Sequence, residues 1–307
     1  MTALPSLKQL QYLVALAQQL NFTRAAQSCF VTQSTLSAGL KELESVLGAQ
    51  LVERDRQSVL MTPTGRGVAD RARAIIAATQ DLVERAAQTQ QAMSGPLRLG
   101  VIPTIAPFLL PHSLMLLRQR YADLRLALRE DLTANLLSRI DDGQLDFALI
   151  ALPYATGNFL VETLFDDALW IVGRHDDALL QAETVKATTA LADRLLLLEE
   201  GHCLREHALY ACSGPVRPSV VEATSLLTLV QMVESGLGVA LIPAMAVSGG
   251  LTQSKTLVAR PLSPPAPKRT IALVARRSTS RLPDLKALAE VIRQTASDGK
   301  VFKAIEP

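Results

Sequence analysis

Aromatic residues make up only 4% of the 307 residues. That scarcity argues against a stacking platform for single-stranded nucleic acid, which needs aromatic faces for successive bases. No run approaches the roughly 18 uninterrupted apolar residues of a membrane-spanning helix. Only three cysteines occur, Cys29, Cys203 and Cys212. They are too few for a secreted disulfide scaffold, and no CxxC or His/Cys cluster points to zinc, so neither metal nor cofactor is expected. The segment from Met1 to Gln11 has no charged stretch followed by an apolar run and a small-residue cleavage site. No secretory signal is therefore expected, and the expected compartment is a reducing cytosol. Strong charge of either sign is missing too. A formal net charge of +2 leaves DNA binding open, because a local basic patch suffices.

What is present is an ample core. Hydrophobic residues are 49% and charged residues 20% of the chain, the balance of a globular protein long enough for two domains or more. From Ser6 to Gln19 the apolar residues Leu7, Leu10, Leu13, Val14 and Ala17 recur at spacings of three and four, which predicts a helix. Asn21 offers a cap to a short second helix over 22–30. Thr32 caps a third, from Gln33 to Leu47, with Leu36, Leu40, Leu43 and Leu47 inward and Gly48 as its stop. Two short helices joined by a tight turn form a helix-turn-helix, and residues 51–61 suit a wing hairpin. Gln33, Ser34, Thr35 and Ser37 lie near the start of the third helix, where a recognition helix meets base edges in the major groove of double-stranded DNA. Lys41, Arg54 and Arg56 suit phosphate contacts, which set register and carry no sequence information.

A helix opening at Thr62-Pro63 and running to about Met93 would be roughly 48 Å long, a length that suggests a linker through which two chains pair. Ser94-Gly95-Pro96 ends it. Strands and helices then alternate: strands at 97–102, 124–129, 146–151, 168–173, 195–198, 239–242 and 270–275, with helices between the first of them. This pattern predicts open α/β sheets, which bind ligands beyond the carboxyl ends of their strands. Thr104, Thr133 and the segment after Leu198 all lie at such ends. The domains read as 1–61, 62–93 and 94–307.

Cys203 and Cys212 stand nine residues apart in the run Gly201-His202-Cys203-Leu204-Arg205-Glu206-His207-Ala208-Leu209-Tyr210-Ala211-Cys212. His202 and Arg205 beside the first could stabilise a thiolate, and a second cysteine can resolve an oxidised first one. On a helix the pair would sit about 13.5 Å apart along the axis and on opposite faces, whereas a disulfide needs Cα atoms within about 7 Å. Forming one would force the segment to refold, as a switch does. The plainer reading is that both are small buried hydrophobes. Cys29 is read that way, as a core residue of its helix. His112 and His175 read as surface residues, and His207 either touches the cysteine site or sits exposed on a helix.

The segments Leu13-Val14-Ala15-Leu16-Ala17 through Ala25-Ala26, Thr32-Gln33-Ser34-Thr35-Leu36-Ser37, Leu43-Glu44-Ser45-Val46-Leu47-Gly48, Leu51-Val52-Glu53-Arg54 and Thr62-Pro63-Thr64-Gly65 closely resemble the winged helix-turn-helix of LysR-type transcriptional regulators. The resemblance extends over the whole chain. The cysteine run, Ile102-Pro103-Thr104, Ala223-Thr224-Ser225-Leu226 and the segment 236–243 resemble the OxyR peroxide-sensor subgroup. This implies a winged helix-turn-helix, a linker helix and a two-lobed α/β regulatory domain like a periplasmic binding protein. Lobe I would take about 94–165 and 269–307, and lobe II about 166–268. The resemblance also implies that the Cys203 thiolate attacks hydrogen peroxide, becomes a sulfenic acid and condenses with Cys212. A depressed thiol pKa is expected, with Thr104 holding the peroxide and Thr133, His202, Arg205 and Arg276 supporting the site. A dimer or tetramer on promoter half-sites, contact with RNA polymerase, and no enzymatic role are further implications.

Two other functions compete. A LysR-type regulator could bind a small effector in the crevice between lobes through Thr104 and the 223–225 turn, with the cysteines incidental. A thiol peroxidase would turn over, yet it would need neither a DNA reader nor a linker helix. A periplasmic solute-binding protein would share the two lobes but lack the DNA reader.

Overall fold

The computed structural model of the chain describes residues 4–54, 59–87, 92–186, 189–211 and 222–298. Two compact units are formed. In the first, α1 (Leu7–Gln19) opens on a capping box in which the Ser6 hydroxyl accepts from the Gln9 amide and the Gln9 side chain accepts from the Ser6 amide. Helix α2 (Phe22–Ser28) is capped by Asn21, and α3 (Gln33–Leu47) by Thr32, with Gly48 closing α3 in the left-handed region at φ 62°. Their apolar stripes meet in one core that includes Leu13, Leu16, Leu36, Leu40 and Leu43. Cys29 is half-buried against this core, and burial pushes its thiol up.

Strands β1 (Val52–Arg54) and β2 (Val59–Met61) pair antiparallel as the wing. Glu44 anchors the wing by accepting from the Leu51 and Val52 amides at 2.8 and 3.2 Å. Helix α4 (Pro63–Ala87) follows directly, with Pro63 at its first position. Gly65 is needed there, since a Cβ would lie 2.0 Å from the Leu51 carbonyl oxygen. The sequence predicts this helix as far as Met93. Instead Ala92 and Met93 form a turn, and the buried Met93 amide donates to Asp284 Oδ1 at 2.6 Å.

The second unit is α/β and two-lobed. In lobe I, β3 (Gly95–Val101), α5 (Ala106–Arg120), β4 (Leu124–Glu130), α6 (Thr133–Asp141) and β5 (Phe147–Leu152) alternate, with β3 parallel to both β4 and β5. The Phe147–Ala151 run is wholly buried, as expected for a strand covered on both faces. Strand β6 (Phe159–Arg174) then passes from one lobe to the other. Lobe II adds α7 (Thr189–Ala192), β7 (Leu197–Leu198), α8 (Cys203–Ala211), β8 (Glu222–Ala223), α9 (Leu226–Glu234), β9 (Ala240–Pro243), α10 (Ala244–Ser248) and β10 (Leu257–Pro261). Strand β11 (Lys268–Arg276) returns the chain to lobe I, and α11 (Leu282–Ser297) packs on it. The main sheet runs β10-β6-β11-β5-β3-β4, with β9 also on β6, while β7 and β8 form a parallel pair.

The sequence predicts a strand only at 168–173 where β6 begins at Phe159. Its first half pairs with β11 and its second half with β10 and β9. That first half is partly exposed and carries Glu162, Asp166 and Asp167, so it lacks the apolar run that marks a strand buried on both faces.

Candidate functional site: a buried thiol between two lobes

Helix α8 begins after a turn at Glu199–His202. Gly201 makes that turn at φ 95°, a conformation costly for other residues. Cys203 is therefore the first helical residue, and the backbone amides of Cys203 and Leu204 pull its thiol toward thiolate. A helix N-terminus favours negative charge at this position. Although Cys203 sits on a lobe II helix, its side chain packs into the lobe I core, with 6% of its surface exposed. It is a free thiol.

Three polar side chains interact electrostatically with this thiol. Thr133, at the start of α6, is buried, and its hydroxyl pulls the thiol toward thiolate, although Oγ1 makes no hydrogen bond of full geometry. The second is Arg269 on β11, which is wholly buried. Its Nε donates to Asp167 Oδ2 at 3.1 Å, while Nη1 donates to Thr104 Oγ1 at 2.7 Å and Nη2 to the Thr104 carbonyl at 3.0 Å. The Arg269 charge also favours the thiolate of Cys203. The third, Tyr154, is half-buried just beyond β5. Burial raises its phenol first, and the neighbouring Cys203 and Glu206 add to that rise.

The sequence predicts a depressed thiol pKa. The structure gives the opposite direction, because burial pushes the Cys203 thiol up and outweighs the amides, Thr133 and Arg269. In this closed arrangement the sulfur is held as a thiol amid groups arranged to favour a thiolate.

The other expected site residues are placed as follows. His202 is buried, which pushes its imidazole down against the opposing pull of Glu199 and a hydrogen bond to the Thr224 backbone. Arg205 turns to the lobe II sheet, donating to the Leu198 carbonyl at 2.8 Å and Glu222 Oε1 at 2.6 Å. It stitches α8 to β7 and β8. Arg276 donates to the Ile140 carbonyl at 2.6 Å. It lies seven residues along β11 from Arg269, about 23 Å at 3.3 Å per residue, and the structure does not bring it to the thiol. Arg269 is the arginine that arrives there. A sequence signal for it exists: Arg269 shares the alternating face of Ile271, Leu273 and Ala275, all fully buried. Cys212 and Arg56 lie outside the described residues.

Among the described residues no group of three or more His, Cys, Asp and Glu side chains could hold a metal. No described helix is long and apolar enough to cross a membrane.

In the first unit, Gln33, Ser34, Thr35 and Lys41 are exposed on α3, and Ser37 is half-buried. The Thr32 hydroxyl caps the helix and lies 2.9 Å from Ser34 Oγ and 2.8 Å from Thr35 Oγ1, so these hydroxyls form one linked group. Thr23 Oγ1 donates to Gln33 Oε1 at 3.2 Å, joining α2 to α3. Arg54 closes β1.

A winged helix-turn-helix joined to a two-lobed α/β domain defines a DNA-binding transcription regulator. Residues 7–66 match the model of the bacterial regulatory helix-turn-helix proteins of the lysR family, and residues 90–297 match the LysR substrate binding domain. The chain belongs to the LysR family. It is 41% identical over 298 residues to the HTH-type transcriptional regulator EstR of Acinetobacter baylyi, covering 96% of this chain and 98% of that one. It is 38% identical over 303 residues to the DNA-binding transcriptional dual regulator OxyR of Escherichia coli K12, covering 98% and 99%. Among solved structures it resembles a cysteine-to-aspartate variant of full-length OxyR from Pseudomonas aeruginosa, with TM-score 0.73, 34% identity, and coverage of 94% and 98%. A cysteine-to-serine variant of Corynebacterium glutamicum OxyR with hydrogen peroxide bound matches with TM-score 0.65, 30% identity, and coverage of 97% and 96%.

Proposed function

We propose that this chain is a peroxide-responsive transcription regulator whose sensor is Cys203, with Cys212 as the resolving partner. The observation that carries the reading is the placement of a free thiol at a helix N-terminus, beside Thr133 and the buried Arg269–Thr104 pair. Thr104 Oγ1 accepts from Arg269, which leaves its O–H to donate to a peroxide oxygen. Arg269 and the helix amides favour the thiolate, the form of the sulfur that attacks, and the negative charge passes to the departing oxygen as the O–O bond breaks. The resulting sulfenic acid then condenses with the Cys212 thiol and releases water.

The response follows from how α8 is held. Cys203 in the lobe I core and a hydrogen bond from His207 Nε2 to the Pro153 carbonyl at 3.2 Å fasten this lobe II helix to lobe I. Helix α8 continues to Ala211, so residues 203 and 211 lie about 12 Å apart along its axis. A disulfide with its Cα atoms within about 7 Å requires the helix to unwind and draws Cys203 from the core. Relayed through paired regulatory domains of a dimer or tetramer, that change repositions the wings on promoter half-sites and alters access for RNA polymerase. A reducing cytosol resets the switch.

Footprinting on promoter DNA tests this. Reduced and peroxide-treated protein should give different footprints, and Cys203→Ser should give the reduced footprint under both conditions. An unchanged wild-type footprint would overturn the proposal. A second reading, a small effector bound in the crevice between lobes, is favoured by the burial of Cys203 and the upward push on its thiol. A Cys203→Ser protein that responds to peroxide as wild type does would favour it.

A further inference from the structure

His207 stands four residues after Cys203 on α8. Side chains so spaced share a helix face with Cβ atoms about 5–6 Å apart, and helical side chains lean back toward the N-terminus. The imidazole is therefore carried toward the turn that holds the thiol. Both residues are buried, with 6% of Cys203 and 7% of His207 exposed.

The two ring nitrogens are not equivalent. Nε2 lies 3.2 Å from the Pro153 carbonyl oxygen. A carbonyl only accepts, so Nε2 carries the proton and donates it, leaving Nδ1 as a bare lone pair. Nδ1 is buried and has no hydrogen-bond partner. Buried polar atoms rarely go unpartnered, and this one is a base on the same helix face as the reactive sulfur.

We propose that His207 is the proton acceptor for Cys203, its Nδ1 taking the thiol proton, through one intervening water, as the sulfur attacks hydrogen peroxide. The proposal rests on the peroxide-sensing reading above. The S–H pair stays on sulfur, the S–O bond forms as the O–O bond breaks, and the departing hydroxide recovers the proton from the imidazolium and leaves as water. Cysteine is oxidised by two electrons to the sulfenic acid and peroxide is reduced to water.

The surroundings suit a transient proton carrier. Arg269 from β11 acts on both groups, favouring a thiolate at Cys203 and opposing a second cation at His207. Glu206, on the same helix, acts in the other direction on the imidazole, and Tyr154 approaches Cys203 and Glu206 from beyond β5. Burial and Arg269 push the imidazole down, so it stays neutral and able to accept near neutral pH. Burial pushes the thiol up, so an acceptor is needed.

His207→Gln keeps an N–H for the Pro153 carbonyl but cannot take a proton. Reduced full-length wild type and variant would be reacted with hydrogen peroxide, and separately with iodoacetamide, from pH 5 to 9, following Cys203 by quenched-flow mass spectrometry. The wild-type rate should carry a limb from a group titrating below about pH 6.5, the ordinary imidazole value. His207→Gln should lose that limb with both reagents and react on the order of 10²-fold more slowly at pH 7, a loss typical of a removed general base. Added imidazole should restore part of the rate to His207→Ala. Wild-type rates in His207→Gln, or a uniform slowing with the pH profile unchanged, would overturn the proposal. If the variant does not fold, as read by near-ultraviolet circular dichroism, the wild-type profile decides, and a single limb set by the thiol alone overturns it. Loss of the limb toward iodoacetamide in a protein whose wild type ignores peroxide would sink the peroxide reading and leave His207 as the proton acceptor.

Discussion

Replacing Arg269 with methionine removes a wholly buried guanidinium and leaves the equally buried Asp167 without its counter-charge. The bonds from Nε to Asp167 and from Nη1 and Nη2 to Thr104 all disappear. Asp167 retains backbone amides, with Met245 at 3.1 Å, but an unpaired carboxylate remains in a medium that solvates it poorly. Breaking a buried pair from one side costs about 3–5 kcal/mol. At roughly 2–4 °C per kcal/mol for a unit of this size, the melting transition of the second unit should fall by roughly 6–20 °C. The double variant Arg269→Met with Asp167→Leu should recover most of that loss, because apolar replacements of both partners are often neutral or stabilising. In the folded double variant the thiol loses the cation that opposes burial, so Cys203 should react more slowly with iodoacetamide at pH 8. Scanning calorimetry of the reduced full-length chain provides the assay. A single variant melting within about 2 °C of wild type, well under the cost of an exposed buried charge, would refute the reasoning. A double variant as unstable as the single one would do the same.

Two other perturbations probe the same region. Thr133→Val removes a hydroxyl that favours the thiolate while making no full hydrogen bond. The thiol should therefore move further up and alkylation should slow, with stability changed by less than about 1 kcal/mol, since no good hydrogen bond is lost; unchanged alkylation at constant stability would contradict the assignment. Acidification should destabilise the second unit. His202 and His207 are both held below the ordinary imidazole value by burial, so the unfolded chain binds protons that the folded chain resists. Their contribution is present above about pH 6.5 and is lost as pH falls below it. Urea midpoints should drop from pH 7.5 to 5.5, less steeply in His207→Gln, and midpoints that rise on acidification would contradict the sign.

The DNA-reading unit was legible because its signals are local. Ser6, Asn21 and Thr32 each cap the helix that follows them, and Gly48 ends α3 within a residue of the expected stop. Cys203 and its run stood out for the same reason. What surrounds Cys203 is not local. Arg269 meets Asp167 across 102 residues and Thr104 across 165, and only the face it occupies on β11 hints at its burial. Arg205 is a sequence neighbour of Cys203 and Arg276 enters only through resemblance, and the structure gives the first to Leu198 and Glu222 and the second to Ile140. The His207 ring is held by the Pro153 carbonyl, 54 residues away, so spacing along one helix leaves its role undecided. The direction of the Cys203 pKa has a related cause. His202 and Arg205 as sequence neighbours suggested a stabilised thiolate, whereas packing into the lobe I core sets the dominant cost.

The most direct test of the central claim is non-reducing peptide mapping of reduced protein after brief exposure to about one equivalent of hydrogen peroxide, the stoichiometry of one reactive thiol per chain. The account predicts a peptide joining Cys203 to Cys212, absent from Cys203→Ser. Cys203 and Cys212 both recovered as free thiols after that exposure would contradict it.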